Sequence, residues 1–142
     1  MNREEAIAVY KTAKSADDLW ALCAGDLFFL LVYGMKREDM NRDWLYERCR
    51  EVQREPDGHL DLWSREHYKS TIITVGLTIQ NILNDPELTV GIFSHTRPIA
   101  KAFLRQIKRE FETNRLLQEL FPHICPPNLR QSARRRGGSQ QG

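Results

Sequence analysis

The sequence has few cysteines, no long apolar run and no large excess of charge of either sign. Its three cysteines, Cys23, Cys49 and Cys125, are odd in number and widely spaced, which excludes a disulfide framework and a zinc pattern and indicates ordinary thiols in a reducing cytosol. The longest apolar run, Leu27 to Tyr33, is far shorter than the ~20 residues that cross a bilayer. No basic-then-apolar leader opens the chain. We therefore expect a soluble, cytoplasmic protein.

The small positive charge of the chain comes from its last residues. The net charge is +2 over 142 residues, with 21 basic and 19 acidic side chains. Residues 126–142 hold four arginines and no acid, so residues 1–125 carry 21 − 4 = 17 basic against 19 acidic side chains. Composition therefore gives no general argument for nucleic-acid binding. We predict that residues 125–142 form a disordered basic tail, whose ARRRGG stretch either contacts phosphate or is simply solvated.

The first part of the chain has the pattern of helices. Ser15 followed by Asp18 predicts a helix start, and the apolar LFFLLVY run after Asp26 predicts a helix covered on most sides. Asn41 is the predicted cap of a further helix with Leu45, Cys49 and Val52 on one face. The turn signal Glu55-Pro56-Asp57-Gly58 ends this part. We therefore predict an N-terminal helical region over residues 1–58.

The pattern changes after the turn. Alternating Leu60 and Leu62 predict a strand over 59–63, and apolar spacing predicts a helix over 69–84. A second strand is expected over 88–93, apolar on both faces, followed by a helix capped by Thr96. The order strand, loop, helix, strand, helix is that of an opening α/β fold with a parallel sheet. The predicted fold class is therefore α/β, with an incomplete P-loop NTPase sheet over residues 59–124.

A candidate phosphate loop lies between the first predicted strand and its helix. Lys69, Ser70 and Thr71 stand where a P-loop places the lysine that reaches the terminal phosphates and the hydroxyl that binds Mg²⁺. The standard pattern would have glycine at Trp63 and at Tyr68. A lysine and two hydroxyl residues at an ordinary helix start would look the same, because Ser and Thr are common there. The strand–loop–helix–strand order and Arg65, four residues before the lysine, favour the nucleotide site.

Residues 60–122 resemble the ATPase domain of tailed-phage large terminases, the DNA-packaging motors of these viruses. The similarity includes a phosphate loop without its first glycine, an arginine four residues before the lysine, and a bulky residue directly before the lysine, as Tyr68 is here. Residues 15–58 resemble the N-terminal region of the same group, less sharply. Downstream matches at fixed offsets are Asp85-Pro86-Glu87, Ser94, Thr96, Ala100, Phe103-Leu104, Ile107-Lys108, Glu112, Asn114, Leu117 and Phe121-Pro122.

The resemblance implies an ATP-driven motor that moves double-stranded viral DNA into a capsid in the host bacterial cytoplasm. It also implies a small terminase subunit and a portal or procapsid as partners. By position, Lys69 would bind the β- and γ-phosphates of ATP, Ser70 would hold Mg²⁺, and Arg65 would stabilise the γ-phosphate. The implied catalytic residues are Arg65 and Lys69. The implied nucleotide-binding residues are Ser64, Arg65, Glu66, His67, Tyr68, Lys69, Ser70 and Thr71.

Two parts of such a motor are not found in the sequence. No apolar run ending in an acidic pair follows residue 93, and no nuclease carboxylate cluster is present. We therefore expect a truncated or frameshifted reading of a longer terminase gene, which binds nucleotide weakly and hydrolyses little or none. The alternative is a non-catalytic helical interaction or DNA-recognition module of a phage or prophage. The four histidines lack metal-ligand spacing, and Trp20, Trp44 and Trp63 are interpreted as core or interface aromatics.

Overall fold

The described part of the chain is built from helices. The computed structural model describes residues 1–55, 60, 62–64 and 66–126. A π-helical stretch, Leu30–Gly34, extends the third helix, another, Ser70–Leu77, leads into the fifth, and a short 3₁₀ turn, Glu38–Met40, precedes the fourth. The α-helices are α1 (Arg3–Thr12), α2 (Ala16–Gly25), α3 (Leu27–Phe29), α4 (Asp43–Arg54), α5 (Thr78–Asn84), α6 (Arg97–Thr113) and α7 (Arg115–Leu120).

The predicted parallel sheet is wrong, because the described residues contain no β-strand and are 68% helical. Residues 88–93 follow α5 without regular structure, and Phe93 is 96% exposed. Within the first predicted strand, Leu60 and Leu62 are described, neither is in a strand, and both are exposed. A strand forms only when a neighbouring segment satisfies its backbone N–H and C=O groups. No such pairing occurs within the described ranges. An amino-acid composition typical of strands was therefore not sufficient to form a strand here.

Side-chain caps set the starts of the first helices. Asn2 and Glu5 form a capping box at α1, and Ser15 and Asp18 form the one predicted at α2. The carboxylate of Asp26 accepts from the backbone N–H of Phe29, 3.0 Å away, at the start of α3. The cap predicted at Asn41 is not formed, since α4 begins at Asp43. Asn41 accepts a hydrogen bond from Arg3 instead.

The segment from Leu27 to Gly34 forms the centre of the core, as its nearly continuous apolar character predicts. The side chains of Leu27, Phe28, Leu30 and Leu31 are fully buried. α2, α4 and the helix after the loop pack around this segment. At Gly76 the packing is closest, because a Cβ atom there would stand 2.7 Å from Cδ2 of Leu31. The absence of a side chain at Gly76 therefore lets the helix that follows the loop lie against the core.

One polar network crosses this core. The buried carboxylate of Asp26 accepts from the hydroxyl of Tyr10 at 2.6 Å and from the guanidinium of Arg50 at 2.8 Å. Burial, followed by the hydrogen bond to Asp26, raises the pKa of Tyr10 well above its usual range. The carboxylate is thus satisfied by two donors as well as by its capping bond, which ties α1 and α4 to the start of α3.

The last two helices close the described structure. Thr96 precedes α6 as predicted, although its side chain makes no capping bond. Along α6, Ile107 is buried, while Ile99 is 43% exposed. Asn114 caps α7 and donates to the carbonyl of Gly34 at 2.8 Å. The hydrophobic cluster includes residues from Ala6 to Cys125, on both sides of the predicted boundary at residue 58.

None of the described helices combines the length and the apolar character needed to cross a membrane.

Candidate nucleotide-phosphate loop

The candidate loop leads directly into a helix, as predicted. Residues 62–64 and 66–68 have no regular structure, and the helix begins at Lys69 and runs through Ser70–Leu77 into α5. The backbone N–H of Ile72 donates to the carbonyl of Tyr68 at 2.9 Å, which closes the first turn. The N-terminal N–H groups of such a helix lack partners within the helix and attract anions. Lys69, Ser70 and Thr71 therefore lie at an end of a helix suited to phosphate.

Two residues of this loop have a left-handed backbone that side chains rarely adopt. The φ angle is 63° at Glu66 and 60° at Tyr68. Such a conformation costs a residue other than glycine on the order of 1–3 kcal/mol. Tyr68 stands at the position where the standard P-loop has glycine before its lysine. Tyrosine therefore replaces this glycine, but the backbone keeps the left-handed conformation that glycine adopts easily.

This change of backbone hand creates a concave run of N–H groups. Tyr68 is left-handed, with φ 60°, and Lys69 is right-handed, with φ −51° and ψ −53°. Consecutive residues of opposite hand direct their N–H groups to the same side, which makes a small anion-binding concavity. Such a turn is one that could hold an anion.

Side chains from the helical region before the loop surround Tyr68. The guanidinium of Arg37 lies 5.9 Å from the centroid of the Tyr68 ring, and the centroid of Trp44 lies 6.3 Å away. Arg37 also binds both carboxylate oxygens of Asp39 at 2.9 Å. Arg37 lowers the pKa of Asp39, and the nearby Tyr68 hydroxyl lowers it further. These contacts hold the ring of Tyr68 against side chains that precede the loop.

A cavity of about 370 Å³ opens at the loop. Arg65, to which the sequence assigned a role at the γ-phosphate, lies outside the described residues. Every other predicted nucleotide-binding residue lines the cavity, together with Trp63: Ser64, Glu66, His67, Tyr68, Lys69, Ser70 and Thr71. The structure therefore brings the described members of the predicted site together around one space.

The residues of this cavity fit the phosphate end of a nucleotide. The left-handed turn presents N–H groups, and Lys69 supplies a positive charge beside them. The hydroxyl of Ser70 suits Mg²⁺, which keeps several waters and binds phosphate oxygens readily. Glu66 adds a negative charge, which disfavours a triphosphate unless a cation lies between them. No cluster of three or more His, Cys, Asp or Glu that could hold a metal occurs among the described residues.

A second, smaller cavity of about 260 Å³ adjoins the first. It shares Trp63, Ser64 and His67 with the loop cavity and adds Leu62. It also adds Trp44 and Arg48, which lie one helical turn apart on α4. From the sequence, Trp44 and Trp63 are interpreted as core or interface aromatics, and Arg48 is given no role. The i, i+4 spacing of Trp44 and Arg48 indicates that both lie on one face of α4. The contact with the loop depends on the fold and could not be obtained from spacing.

The largest cavity described, about 570 Å³, lies elsewhere, against Met1, Tyr46, Arg50 and Arg54, and shares no lining residue with the loop.

Comparison of the chain with protein-family models, with curated proteins and with solved structures gave no match.

Proposed function

We propose that residues 64–71 bind the phosphates of Mg-ATP, and that the chain acts as the ATP-binding part of a viral DNA-packaging motor of the large-terminase kind. The observation that carries the nucleotide site is the left-handed Tyr68 directly before Lys69. A backbone held in a costly conformation beside a cavity is characteristic of binding sites. The assignment to a packaging motor is supported by the sequence resemblance over residues 60–122.

In this proposal each described residue has a defined task. The N–H groups at the turn after Tyr68 and the ammonium of Lys69 bind the β- and γ-phosphates. The hydroxyl of Ser70 orients Mg²⁺, which when bound neutralises charge on the phosphate oxygens. The proposed partners are double-stranded DNA, a small terminase subunit and a portal or procapsid, in the cytoplasm of a bacterial host.

A titration of Mg-ATP against the wild-type protein and Lys69→Ala tests the nucleotide site. We expect saturable binding to the wild type and about 10- to 100-fold weaker binding to Lys69→Ala, since a hydrogen bond to a charged group contributes ~1.5–3 kcal/mol. Lys101→Ala removes an exposed lysine of α6 that does not line the loop cavity, and serves as the matched control. Equal affinity of Lys69→Ala and wild type would overturn the proposal.

A second candidate, a helical DNA-recognition module, is favoured by the exposed face of α6. Its long helix presents a row of basic side chains to solvent, which suits the phosphates of a duplex. This module predicts the reverse result: substitutions on α6 weaken DNA binding and reduce its salt dependence, whereas Lys69→Ala has no effect. The exposed basic residues of α6 are Arg97, Lys101, Arg105, Lys108 and Arg109.

A further inference from the structure

The cavity next to the phosphate loop has the lining of a site for a flat ring. Trp44 and Trp63 contribute indole rings, and the guanidinium of Arg48 lies 5.7 Å from the centroid of Trp63. The centroid of Trp44 lies 5.9 Å from that of His67. Indole, imidazole and guanidinium faces all stack on heterocyclic bases. The lining therefore matches a nucleobase better than an aliphatic or highly charged ligand.

The position of this cavity relative to the loop supports the same ligand. Trp63, Ser64 and His67 line both spaces, so the two cavities lie side by side along one stretch of chain. A nucleotide with its phosphates at Lys69 can then extend its base past Ser64 towards α4. Trp44 is 38% exposed although the core lies on the other face of α4. Trp44 therefore offers part of its ring to a ligand, and Arg48, which binds Glu51, lies over Trp63 next to it.

We propose that the cavity between α4 and the loop binds the base of the nucleotide by stacking, and that it accepts purines as a class, ATP and GTP alike. This inference rests on the proposed phosphate site. Beside Leu62 and Ser64, the cavity's lining consists of the rings of Trp44, Trp63 and His67 and the guanidinium of Arg48. Such groups bind the plane of a base. A two-ring base covers more of these faces than a one-ring base, which gives purines the advantage over pyrimidines.

The test compares four ligands, each with Mg²⁺: ATP, GTP, CTP and inorganic tripolyphosphate. Tripolyphosphate has no base and reports on the loop alone. We expect ATP and GTP to bind within about threefold of each other and about tenfold or more above tripolyphosphate, with CTP between, because stacking of a base on an aromatic side chain contributes on this scale. Quenching of tryptophan fluorescence should accompany the two purine nucleotides and not tripolyphosphate.

Three substitutions outside the loop cavity separate the base site from the phosphate site. Trp44→Leu and Arg48→Ala should each remove most of the advantage of ATP over tripolyphosphate, and Trp44→Phe should retain most of it because an aromatic face remains. Arg48→Ala and Trp44→Phe should leave the affinity for tripolyphosphate unchanged, because Arg48 does not line the loop cavity and phenylalanine keeps a ring beside Tyr68. In Trp44→Leu, the ratio of the affinity for ATP to that for tripolyphosphate corrects for any effect of the lost Tyr68 contact on the loop. Trp20→Leu is the matched control, since Trp20 is 44% exposed and stacks on Phe121, away from both cavities.

The outcomes distinguish this inference from the function on which it depends. If tripolyphosphate does not bind the wild type, the phosphate site and the base site both fail. If tripolyphosphate binds as tightly as ATP, or if Trp44→Leu and Arg48→Ala leave ATP binding unchanged, the base site alone is overturned. A preference of more than tenfold between ATP and GTP would overturn binding by ring faces, because it requires recognition of the edge of the base.

Discussion

The guanidinium of Arg37 lies 5.9 Å from the centroid of the Tyr68 ring. Arg37 belongs to the N-terminal helical region, whereas Tyr68 occupies the position of the last glycine in a standard phosphate loop. Asp39 binds the same guanidinium through both carboxylate oxygens. The side chain at this left-handed position therefore packs against a residue that precedes it by about thirty positions.

Replacing Tyr68 tests this relationship through the backbone. Tyr68→Ala loses the contacts with Arg37 and keeps the cost of a left-handed residue, whereas Tyr68→Gly loses the contacts and removes that cost. We expect the glycine variant to exceed the alanine variant by about 1 kcal/mol in the free energy of unfolding, and to bind Mg-ATP more tightly. Urea denaturation and nucleotide titration of the two variants provide the comparison.

The control for this pair is a helical position of ordinary backbone conformation. Asn81 is exposed in α5, where alanine should be more stable than glycine by about 1 kcal/mol. If the alanine variant is more stable than the glycine variant at both positions, the left-handed assignment of Tyr68 is contradicted.

Two phenylalanines test the corrected fold. Phe93 belongs to the predicted second strand, which would bury it, but it is 96% exposed, whereas Phe121 is fully buried. We expect Phe93→Ala to change the free energy of unfolding by no more than ~0.5 kcal/mol, and Phe121→Ala to lower it by about 3–5 kcal/mol. Chemical denaturation measures both. A decrease of several kcal/mol in the free energy of unfolding of Phe93→Ala would show instead that Phe93 is buried, as the strand prediction requires.

The elements predicted well were those whose signals are local. The Ser15–Asp18 capping box and the buried face of Leu45, Cys49 and Val52 depend on spacing within one helix, and both are confirmed. The strand over 88–93 depended on partner strands that no local pattern supplies. Apolar, β-branched composition is shared by buried strands and exposed connections, so the sequence alone could not separate them.

The site divides in the same way. Lys69, Ser70 and Thr71 were placed at a helix start from sequence spacing, and the helix does begin there. The second cavity, where Trp63, Ser64 and His67 meet Trp44 and Arg48, depends on how α4 packs against the loop. The left-handed Tyr68 was also beyond prediction, because sequence rules assign that conformation to glycine and, less often, asparagine.

Gly76→Ala sets helix propensity against packing. Alanine in a helix is favoured over glycine by roughly 0.5–1 kcal/mol. At Gly76, however, the added Cβ would lie 2.7 Å from Cδ2, 3.1 Å from Cγ and 3.2 Å from Cδ1 of the fully buried Leu31. Overpacking of a core costs about 1–3 kcal/mol. We expect packing to dominate and the free energy of unfolding to fall by about 1 kcal/mol.

Gly25→Ala is the matched control for Gly76→Ala. Gly25 also lies in a helix, α2, and nothing stands within 4 Å of a Cβ atom added there. This variant should be neutral or slightly stabilised in the same thermal or urea denaturation. If Gly76→Ala is as stable as Gly25→Ala, the close approach to Leu31 does not limit the core.

The cysteines predict a loss of stability at alkaline pH. Burial raises the pKa of Cys23 to about 12, of Cys49 to about 12 and of Cys125 to about 11, from ~8.5 in an unfolded chain. Above ~8.5 the unfolded state releases thiol protons that the folded state retains, so the stabilisation present below this pH is lost as pH rises towards the folded values. Each thiol can lower the free energy of unfolding by up to ~1.4 kcal/mol per pH unit.

Urea denaturation between about pH 8 and 11, in reducing agent, measures this dependence. Cys23→Ala should reduce the slope of the free energy of unfolding against pH by the contribution of one thiol. It also lowers stability at neutral pH, because it removes a buried sulfur atom. Native protein at pH 8 should react with a thiol reagent only after denaturant is added. Stability that stays constant across this range, or fast labelling of the native protein, would contradict the burial of the thiols.

The hydrophobic cluster takes side chains from Ala6 near the start of the described residues and from Cys125 near their end. We expect a core shared in this way to open as one cooperative unit. Amide hydrogens in α2 and α7 then exchange with solvent only when the entire unit unfolds, even though neither helix lines the loop cavity. A ligand bound at Lys69 slows this exchange in both helices by the factor 1 + [L]/Kd, so amides far from the loop report the affinity of the loop for its ligand.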